Sequence, residues 1–361
     1  MAALVKQKAP LPSFWKGKRV FVTGHTGFKG SWLALRLLER GAEVYGYALP
    51  PETQPSAFEL LHLDANVATT FGDVRDGANL TAALARARPQ VVFHLAAQAL
   101  VRRAHREPHA TFSTNIMGTV ELLEAIRAAS DVELALVVTS DKTYANREMR
   151  PQREEDPLGG DEPYAASKAC AEIVAAAYRQ TYFSQRPRLA TARAGNVIGG
   201  GDWSDDRLIP DLVRASAKRE PVSLRYPRAV RPWQFVADAV DGYLRIVEEL
   251  SKDSAIACAW NLGPASEATT TVEELARSFL AIYDPQTSIV IDEKSDIAEA
   301  SYLALDARRA KERLGWNPRY GTAAAIAATA HWYAAWRSGE DVERLTLEQL
   351  RCEMEPAIAG R

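Results

Sequence analysis

The sequence is poor in cysteine, has no long run of apolar residues and carries almost no net charge. Its cysteines, Cys170, Cys258 and Cys352, lie far apart without the spacing of metal ligands, which argues against a disulfide scaffold and a metal site. No apolar run approaches the ~20 residues that a membrane-spanning helix needs, and the first residues lack the apolar core of a secretory signal. The net charge of −2 provides no basic surface for nucleic acid or anionic lipid. We therefore expect a cytoplasmic protein that uses no metal and binds neither nucleic acid nor membranes.

What the sequence does contain is the balance of an ordinary globular protein. Hydrophobic residues make up 47% and charged residues 25%, which argues against disorder. At ~100–200 residues per domain, the length of 361 residues suggests two structural units, or one large unit with a lobe. Short apolar segments predict strands at Lys18–Thr23, Glu43–Leu49, Val67–Phe71, Val91–Ala96 and Leu134–Thr139, with helical segments between them. Because these strands are apolar throughout, the pattern favours an α/β fold, a Rossmann-type doubly wound parallel sheet, followed by a smaller C-terminal α/β lobe.

A glycine-rich loop follows the first predicted strand. Residues 23–30 have the sequence TGHTGFKG, and the helical segment Trp32–Arg40 comes directly after them. Glycines permit a tight turn and the close approach of a pyrophosphate, while the start of the helix offers free N–H groups and the positive end of its dipole. A structural turn is the alternative, and Lys29 could equally lie in solvent. The spacing predicts a dinucleotide site formed by Gly24, Thr26, Gly27, Phe28, Lys29 and Gly30.

The second and third predicted strands bear on the type of dinucleotide. The second strand ends with neither the acidic residue that binds a ribose hydroxyl nor the basic cluster that binds a 2′-phosphate. Asp73, after the third strand, could accept a hydrogen bond from the adenine amino group or cap the following helix. Of the two dinucleotides, this passage favours NAD over NADP.

A tyrosine and a lysine at helical spacing supply the chemistry. Tyr164 and Lys168 lie four residues apart in the segment YAASK and would face the same way on a helix. A nearby ammonium group lowers the pKa of a phenol from its usual ~10. Tyr164 could then remove a hydroxyl proton while a hydride leaves the same carbon, and Ser140, at the end of the fifth strand, completes such a site.

Five motifs together resemble the extended short-chain dehydrogenase/reductase superfamily, which includes nucleotide-sugar dehydratases and epimerases. In chain order they are TGHTGFKG at 23–30, HLAAQ at 94–98, TSDKTY at 139–144, YAASK at 164–168 and RAGNVIGGGDW at 193–203. With LGW at 314–316 they cover nearly the whole chain. Within the superfamily, TSDK, RPWQFV at 231–236 and YLALD at 302–306 are most similar to the group of CDP-glucose 4,6-dehydratases.

The resemblance implies a reaction without net oxidation. NAD⁺ would take a hydride from C4 of the sugar in CDP-D-glucose, and Tyr164 would remove the proton of the 4-hydroxyl. Asp141 as acid and Lys142 as base would then eliminate water across C5 and C6. Return of the hydride to C6 would give CDP-4-dehydro-6-deoxy-D-glucose. Lysine is a base only when neutral, so the pKa of Lys142 would have to fall from ~10.4.

The resemblance also implies contacts, domain organisation and assembly. Further cofactor contacts would be Asp73, Val74, Leu95, Ala96, Ala97, Tyr164 and Lys168. Substrate contacts would be Gln98, Arg102, Asn196, Arg207 and Arg231, with Arg207 and Arg231 as clamps for the diphosphate. Residues 1–187, joined by 233–263, would form the NAD-binding Rossmann domain, and residues 188–232 and 264–361 the lobe for the nucleotide sugar. Alanine-rich helices around 104–129 and 165–182 would form the contact of a homodimer.

Two alternatives stay open from the sequence alone. One is a related enzyme, such as a nucleotide-sugar 4-epimerase or a 4,6-dehydratase for another nucleotide sugar. An epimerase eliminates no water, so Asp141 would have no role as an acid in its reaction. The other is a catalytically silent nucleotide-binding protein, against which the intact Ser140, Tyr164 and Lys168 argue.

Overall fold

The computed structural model describes residues 14–145, 149–264, 270–292 and 302–352. Its strands are β1 (Arg19–Thr23), β2 (Glu43–Ala48), β3 (Ala68–Phe71), β4 (Val91–His94), β5 (Leu134–Val138), β6 (Arg188–Ala194), β7 (Val197–Ile198), β8 (Val222–Leu224), β9 (Gln234–Phe235), β10 (Ala259–Leu262) and β11 (Ile289–Ile291). Its helices are α1 (Phe28–Glu39), α2 (Ala57–Leu60), α3 (Leu63–Asn66), α4 (Gly77–Ala87), α5 (Val101–Arg106), α6 (Pro108–Phe112), α7 (Gly118–Ala128), α8 (Pro163–Thr181), α9 (Leu208–Lys218), α10 (Val236–Lys252), α11 (Val272–Tyr283), α12 (Thr322–Ser338) and α13 (Val342–Arg351). Short π-helical turns lie at Ser113–Met117 and Ala310–Leu314, and 3₁₀ turns at Asp141–Thr143 and Ser254–Ile256. Within these ranges no helix combines the length and the hydropathy needed to cross a membrane.

The central element is a parallel sheet with the strand order β10-β6-β5-β4-β1-β2-β3. Alternate residues of β1 reach opposite faces of this sheet. On one face, Val20 and Val22 join an apolar cluster with α1 and α10, and on the other, Phe21 joins a cluster with α4 and α7. Because helices cover both faces, the middle strands β1, β4 and β5 are mainly apolar and buried. The doubly wound Rossmann-type sheet predicted from the sequence is confirmed.

The sheet grows in opposite directions from β1 and β4. β2 and β3 extend it towards one edge, whereas β5, β6 and β10 extend it towards the other. The loops after β1 and β4 therefore diverge and leave a crevice, which is where doubly wound sheets bind their ligands. The glycine loop at 23–30 and the segment 95–98 lie at this crevice.

The second half of the chain adds a smaller layer that continues the core. β8 pairs in parallel with β11, and β7 with β9. α11 packs against α12, and the side chains of Phe279, Trp332 and Tyr333 belong to the same apolar cluster as α1 and the sheet. One continuous core therefore joins the lobe to the sheet.

The predicted domain boundary at residue 188 differs from the observed pairing. β6 pairs with β5 and β10 in the central sheet, although the sequence-based division placed 188–232 in the lobe. No helix with clear periodicity follows β6 directly, so the sequence does not indicate which sheet this apolar strand joins. β10, within the segment 233–263, does return to the central sheet. The division into two units itself stays a prediction.

Candidate active site

A cavity of about 690 Å³ opens at the carboxyl ends of the sheet strands and extends to α9 and β8. In its wall lie the residues predicted for the cofactor, Gly24, Thr26, Gly27, Phe28, Lys29, Gly30, Asp73, Val74, Leu95, Ala96 and Ala97. The same wall contains Ser140, Asp141, Lys142, Tyr164 and Lys168, together with Gln98, Arg102, Asn196, Arg207 and Arg231. The fold thus brings residues from distant parts of the chain to one place.

The three glycines of the loop after β1 differ in what a side chain would meet at each position. Gly24 has a φ of +74°, and a Cβ there would lie 2.6 Å from the main-chain nitrogen of Ala96. A Cβ on Gly30 would collide with the carbonyl oxygen of Gly24. A Cβ on Gly27 would meet only that carbonyl oxygen, at an ordinary 3.5 Å. Packing within the protein therefore explains Gly24 and Gly30, whereas the bare surface of Gly27 faces the cavity.

The start of α1 fits an anionic group. Gly27 is the N-cap, no side chain caps the helix, and its first turn contains no acidic residue. The free N–H groups and the positive end of the helix dipole are therefore offered to the cavity. Together with the open surface at Gly27, this arrangement suits the pyrophosphate of a dinucleotide.

Asp73 follows β3 and lies in the wall of the same cavity as the glycine loop. Its carboxylate accepts hydrogen bonds from the side chain and the main-chain nitrogen of Arg75, and these bonds keep the pKa of Asp73 below its usual value. The residue that caps α4 is Asp76, which accepts from the main-chain nitrogen of Asn79 at 3.1 Å. The alternative role of Asp73 as the helix cap is therefore wrong.

Tyr164 lies in the first turn of α8, where Glu162 caps the helix by accepting from the main-chain nitrogens of residues 164 and 165. The phenol is 8% exposed. Burial is the main cause that raises the pKa of Tyr164, to about 12, while hydrogen bonding to Ser140 and the charge of Arg207 oppose the rise. In this environment the phenol holds its proton until a further positive charge or a base acts on it.

Lys168 lies one turn further along α8 and is also buried. Its Nζ donates to the carbonyl oxygen of Val138 at 3.2 Å. Burial is the main cause that lowers the pKa of Lys168, to about 7, with a further lowering by Lys29 and a partial compensation by Glu172. The spacing of Tyr164 and Lys168 in the sequence is thus realised on one helix that lines the cavity.

Asp141 and Lys142 begin a 3₁₀ turn directly after β5. Ser140 is the N-cap of this turn, and its hydroxyl donates to Asp141 Oδ1 at 2.9 Å. Asp141 is 4% exposed, and burial raises its pKa against the opposing charges of Lys142 and Arg231. Its Oδ2 is buried without a hydrogen-bond partner in the described part of the chain. A neutral, proton-bearing carboxyl group suits this position.

Three of the arginines that line the cavity are predicted substrate contacts, and two of them, Arg207 and Arg231, are the predicted clamps for the diphosphate. Arg207 pairs with Asp202 at 3.2 Å. Arg231 is 3% exposed and donates to the carbonyl oxygen of Val230 at 3.0 Å. Arg102 lies 3.8 Å from Asp206. These guanidinium groups form a cationic wall of the cavity, and the charge of Arg207 acts on Lys29 in the glycine loop.

Gln98 and Asn196 differ in their freedom to bind a ligand. The side-chain amide nitrogen of Gln98 donates to the carbonyl oxygen of Leu100 and to Thr111 Oγ1, and its oxygen accepts from the main-chain nitrogen of Leu100. Its amide group therefore orders the loop after β4. Asn196 engages its main-chain oxygen with Gln234, and its side chain lines the cavity.

A sequence profile described as GDP-mannose 4,6 dehydratase matches residues 21–329. The chain belongs to the GDP-mannose 4,6 dehydratase family. The match includes the glycine loop, the turn at 140–142 and the Tyr164–Lys168 pair. The resemblance to nucleotide-sugar dehydratases and epimerases that the motifs predict is confirmed.

Curated relatives and solved structures that resemble this member of the GDP-mannose 4,6 dehydratase family agree with the assignment. The CDP-glucose 4,6-dehydratase of Salmonella typhimurium is 44% identical over 91% of this chain and 94% of its own. A dTDP-glucose 4,6-dehydratase of Xanthomonas campestris is 29% identical over 86% of this chain and 92% of its own. A solved double mutant of the dTDP-glucose 4,6-dehydratase of Streptomyces venezuelae, with NAD bound, has a TM-score of 0.75 and 25% identity over 90% of this chain and 99% of its own.

The structure decides one alternative for this GDP-mannose 4,6 dehydratase family member and shows one feature that was missed from its sequence. Lys29, predicted either for the cofactor site or for solvent, is half-buried in the cavity wall, where burial lowers its pKa to about 8, Arg207 lowers it further, and Asp141 and Asp202 oppose. Glu172 forms a buried ion pair with Arg193 beneath the site. The only signal for Glu172 is its position four residues after Lys168, a spacing that brings two side chains together on a helix.

Proposed function

We propose that the protein is an NAD-dependent CDP-glucose 4,6-dehydratase, which converts CDP-D-glucose to CDP-4-dehydro-6-deoxy-D-glucose. The observation that carries this proposal is the 44% identity with the Salmonella typhimurium CDP-glucose 4,6-dehydratase over 91% of the chain. The cavity supports it, because a tyrosine–lysine pair, a buried acid and a cationic wall surround one space.

NAD is the cofactor that suits this cavity. The open surface at Gly27 and the uncapped start of α1 would hold its pyrophosphate. Asp73 would accept a hydrogen bond from its adenine amino group, and Lys168 would bind its nicotinamide ribose. The solved Streptomyces venezuelae dehydratase with NAD bound supports the choice. When bound, NAD⁺ would accept a hydride from C4, return it to C6 and add positive charge beside Tyr164.

The chain's own part in the oxidation falls to Tyr164, Lys168 and Ser140. The phenolate oxygen of Tyr164 would take the proton of the 4-hydroxyl, so that the O–H bond electrons form the C4 carbonyl as the hydride departs. The ammonium group of Lys168 favours the phenolate by its charge. With substrate bound, the hydroxyl of Ser140 would turn from Asp141 Oδ1 and donate its hydrogen bond to the same oxygen of the sugar, holding it against Tyr164.

The elimination of water falls to Asp141 and Lys142. The 4-keto group acidifies the C5 proton, which Lys142 in its neutral form would remove. Asp141 would give its proton to the departing 6-hydroxyl, so that water leaves and a C5–C6 double bond forms. When hydride reaches C6, C5 takes a proton back, and no net oxidation results.

The remaining predicted residues would bind the nucleotide sugar. Arg207 and Arg231 would clamp the diphosphate, because a planar guanidinium group bonds two phosphate oxygens at once. Arg102 would approach the hexose, and Asn196 would face the diphosphate or the sugar. Gln98 would act mainly through the loop that it orders.

A panel of nucleotide sugars tests the proposed function. Purified protein with NAD⁺ and CDP-glucose should form a 4-keto product that absorbs light in alkali. We expect dTDP-, UDP- and GDP-glucose to react about 100-fold or more slowly, because a site that hydrogen-bonds one base leaves its own polar groups unpaired with another. Equal turnover of dTDP-glucose would overturn the choice of base, and interconversion of CDP-glucose and CDP-galactose would favour an epimerase.

We further propose a homodimer formed through α6, the following π-helical turn and α8. Four large apolar side chains are exposed on these neighbouring elements: Phe112, Met117, Ile173 and Tyr182. Ile173 on α8 is 56% exposed, although isoleucine side chains are usually buried in folded proteins. A cytoplasmic location and the division into an NAD domain and a substrate lobe stay predictions of the sequence.

Placing a charge in the proposed dimer contact should separate the subunits. We expect Ile173→Glu to convert dimer to monomer at micromolar concentration in sedimentation velocity, because two carboxylates would be buried against apolar side chains. Val290→Glu is the matched control, since Val290 is 49% exposed on β11, away from these helices. A dimer that survives Ile173→Glu, or is lost equally in Val290→Glu, contradicts the proposed contact.

A further inference from the structure

Glu172 is a buried carboxylate for which the proposed chemistry has no use. It is 3% exposed on α8, one helical turn beyond Lys168 and two turns beyond Tyr164. It is not part of the cavity wall and cannot touch a ligand there. Any influence on the reaction must therefore pass through neighbouring side chains.

Hydrogen bonds tie the Glu172 carboxylate to two strands of the sheet. One oxygen accepts from Thr139 Oγ1, directly after β5, at 2.5 Å. The other accepts from Thr191 Oγ1 at 2.8 Å and from Arg193 Nη2 at 2.9 Å, both on β6. Since both oxygens are buried and engaged, and one of them pairs with Arg193, the carboxylate is held in one place.

Three side chains along one stripe of α8 meet three consecutive residues at the end of β5. The contacts are Lys168 Nζ with the carbonyl oxygen of Val138 at 3.2 Å, Glu172 with the hydroxyl of Thr139, and Tyr164 with the hydroxyl of Ser140. The three residues at the end of β5 thus contact the proposed base Tyr164, the cation Lys168 and the carboxylate of Glu172. Loss of the contact between Glu172 and Thr139 would therefore move α8 at Lys168 and at Tyr164.

Arg193 extends this connection to the other side of the site. Its Nη1 donates to the hydroxyl oxygen of Tyr144 at 2.8 Å, and that hydroxyl donates to Asn261 Oδ1 at 2.6 Å. Tyr144 follows directly after the turn at 141–143 that contains the proposed acid. The ion pair of Glu172 and Arg193 therefore lies between the helix and that turn.

We propose that Glu172 is a positioning residue for the proposed reaction, which fixes α8 against the end of β5 and supplies the countercharge that keeps Lys168 cationic. The inference rests on the proposed function, because it gives Glu172 a part in the proton transfer at Tyr164. Its direct effect on Lys168 can, however, be measured without any substrate.

The charges around Lys168 make a countercharge important. Burial lowers the pKa of Lys168 to about 7, Lys29 on α1 lowers it further, and Glu172 raises it. The other charged or titratable groups that face the Lys168–Glu172 pair are His94 on β4, Arg193 on β6 and Arg179 on α8. Near neutral pH, Lys168 is thus close to losing its proton, so loss of the negative charge of Glu172 would leave more of it neutral.

The first measurement is the titration of Lys168 in protein labelled with ¹³C in its lysine side chains. The signal of Lys168 is the one that disappears in Lys168→Met. We expect this signal to titrate about one pH unit lower in Glu172→Gln than in the wild type, because the amide retains the shape but not the charge. Glu172→Asp, which restores the charge, should return the titration towards the wild-type value.

The second measurement is the pH dependence of turnover with CDP-glucose. In Glu172→Gln we expect kcat to fall about 10- to 100-fold, as for a small misplacement of reacting groups, with KM within about 3-fold. The alkaline limb of the profile, which reports loss of the Lys168 proton, should move to lower pH. Glu172→Asp should recover part of kcat and the position of that limb.

Asp238→Asn is the matched control for the loss of a buried carboxylate. Asp238 is 1% exposed, accepts from the main-chain nitrogens of Arg319 and Tyr320, and lies outside the cavity wall. Its removal should lower the melting temperature without moving the Lys168 titration or the pH profile. If Glu172→Gln does not fold, Thr139→Val removes one partner of the carboxylate and tests the positioning by the same readouts.

Two results would overturn the inference. One is a folded Glu172→Gln protein with the wild-type Lys168 titration, and the other is a wild-type pH profile with only a lowered melting temperature, as in Asp238→Asn. If the Lys168 titration shifts in Glu172→Gln but the wild-type protein itself does not convert CDP-glucose, the role of Glu172 towards Lys168 is supported and the proposed function is refuted.

Discussion

Replacement of Tyr164 by phenylalanine is expected to abolish oxidation of the sugar at C4, with a loss of about 10³-fold or more in rate. The substitution removes the oxygen that takes the 4-hydroxyl proton and leaves the ring in its buried place. Without that proton transfer a hydride would have to leave an intact alcohol. The measurement is a single turnover of enzyme, NAD⁺ and CDP-glucose, followed by the absorbance of reduced nicotinamide.

Tyr243→Phe is the matched control for this experiment. Tyr243 is fully buried on α10, its hydroxyl has no hydrogen-bond partner in the described part of the chain, and it lies outside the cavity wall. Its loss should leave both oxidation and turnover at the wild-type level. Normal formation of reduced nicotinamide in Tyr164→Phe would show that another group removes the proton, and the proposed mechanism would fail at its first step.

The sheet and the glycine loop could be predicted from the sequence because each follows from local rules. Strands buried on both faces are mainly apolar, so β1, β4 and β5 stand out against the helices between them. The glycine loop is constrained by contacts within eight residues and with the neighbouring strand, as the collision at Gly30 illustrates. Such constraints leave a pattern that can be recognised without the fold.

The setting of the site side chains could not be predicted, because it depends on contacts between distant segments. The pKa of Lys29 is lowered by burial and by the charge of Arg207 and is raised by the charge of Asp141. Both of these residues lie more than a hundred positions away in the sequence. Gln98 has the polar character of a substrate contact, yet its amide group is used by the loop. A residue type indicates which contacts a side chain can make, whereas the packing around it decides which of its polar atoms can still bind a ligand.

Replacement of Asp141 by asparagine is expected to separate the two halves of the reaction. Oxidation at C4 should proceed within about 3-fold of the wild-type rate, because Tyr164 and Lys168 are untouched. Elimination of water should slow by about 10²- to 10⁴-fold, since an amide has no acidic proton for the departing hydroxyl. The variant should therefore accumulate reduced nicotinamide and a CDP-4-keto-glucose that retains its 6-hydroxyl, which mass spectrometry of the sugar nucleotide distinguishes from the product.

The raised pKa of Asp141 adds a second test of the same role. Burial favours the protonated carboxyl, and only that form can act as an acid, so elimination in the wild type should slow as the pH rises through this pKa. Asp238→Asn, which removes another buried carboxyl whose pKa is raised, to about 6, should leave both halves of the reaction intact. If Asp141→Asn forms product at the wild-type rate and with the wild-type pH dependence, the proton comes from elsewhere. The buried Oδ2 of Asp141, which has no hydrogen-bond partner in the described part of the chain, would then cost stability without serving the reaction.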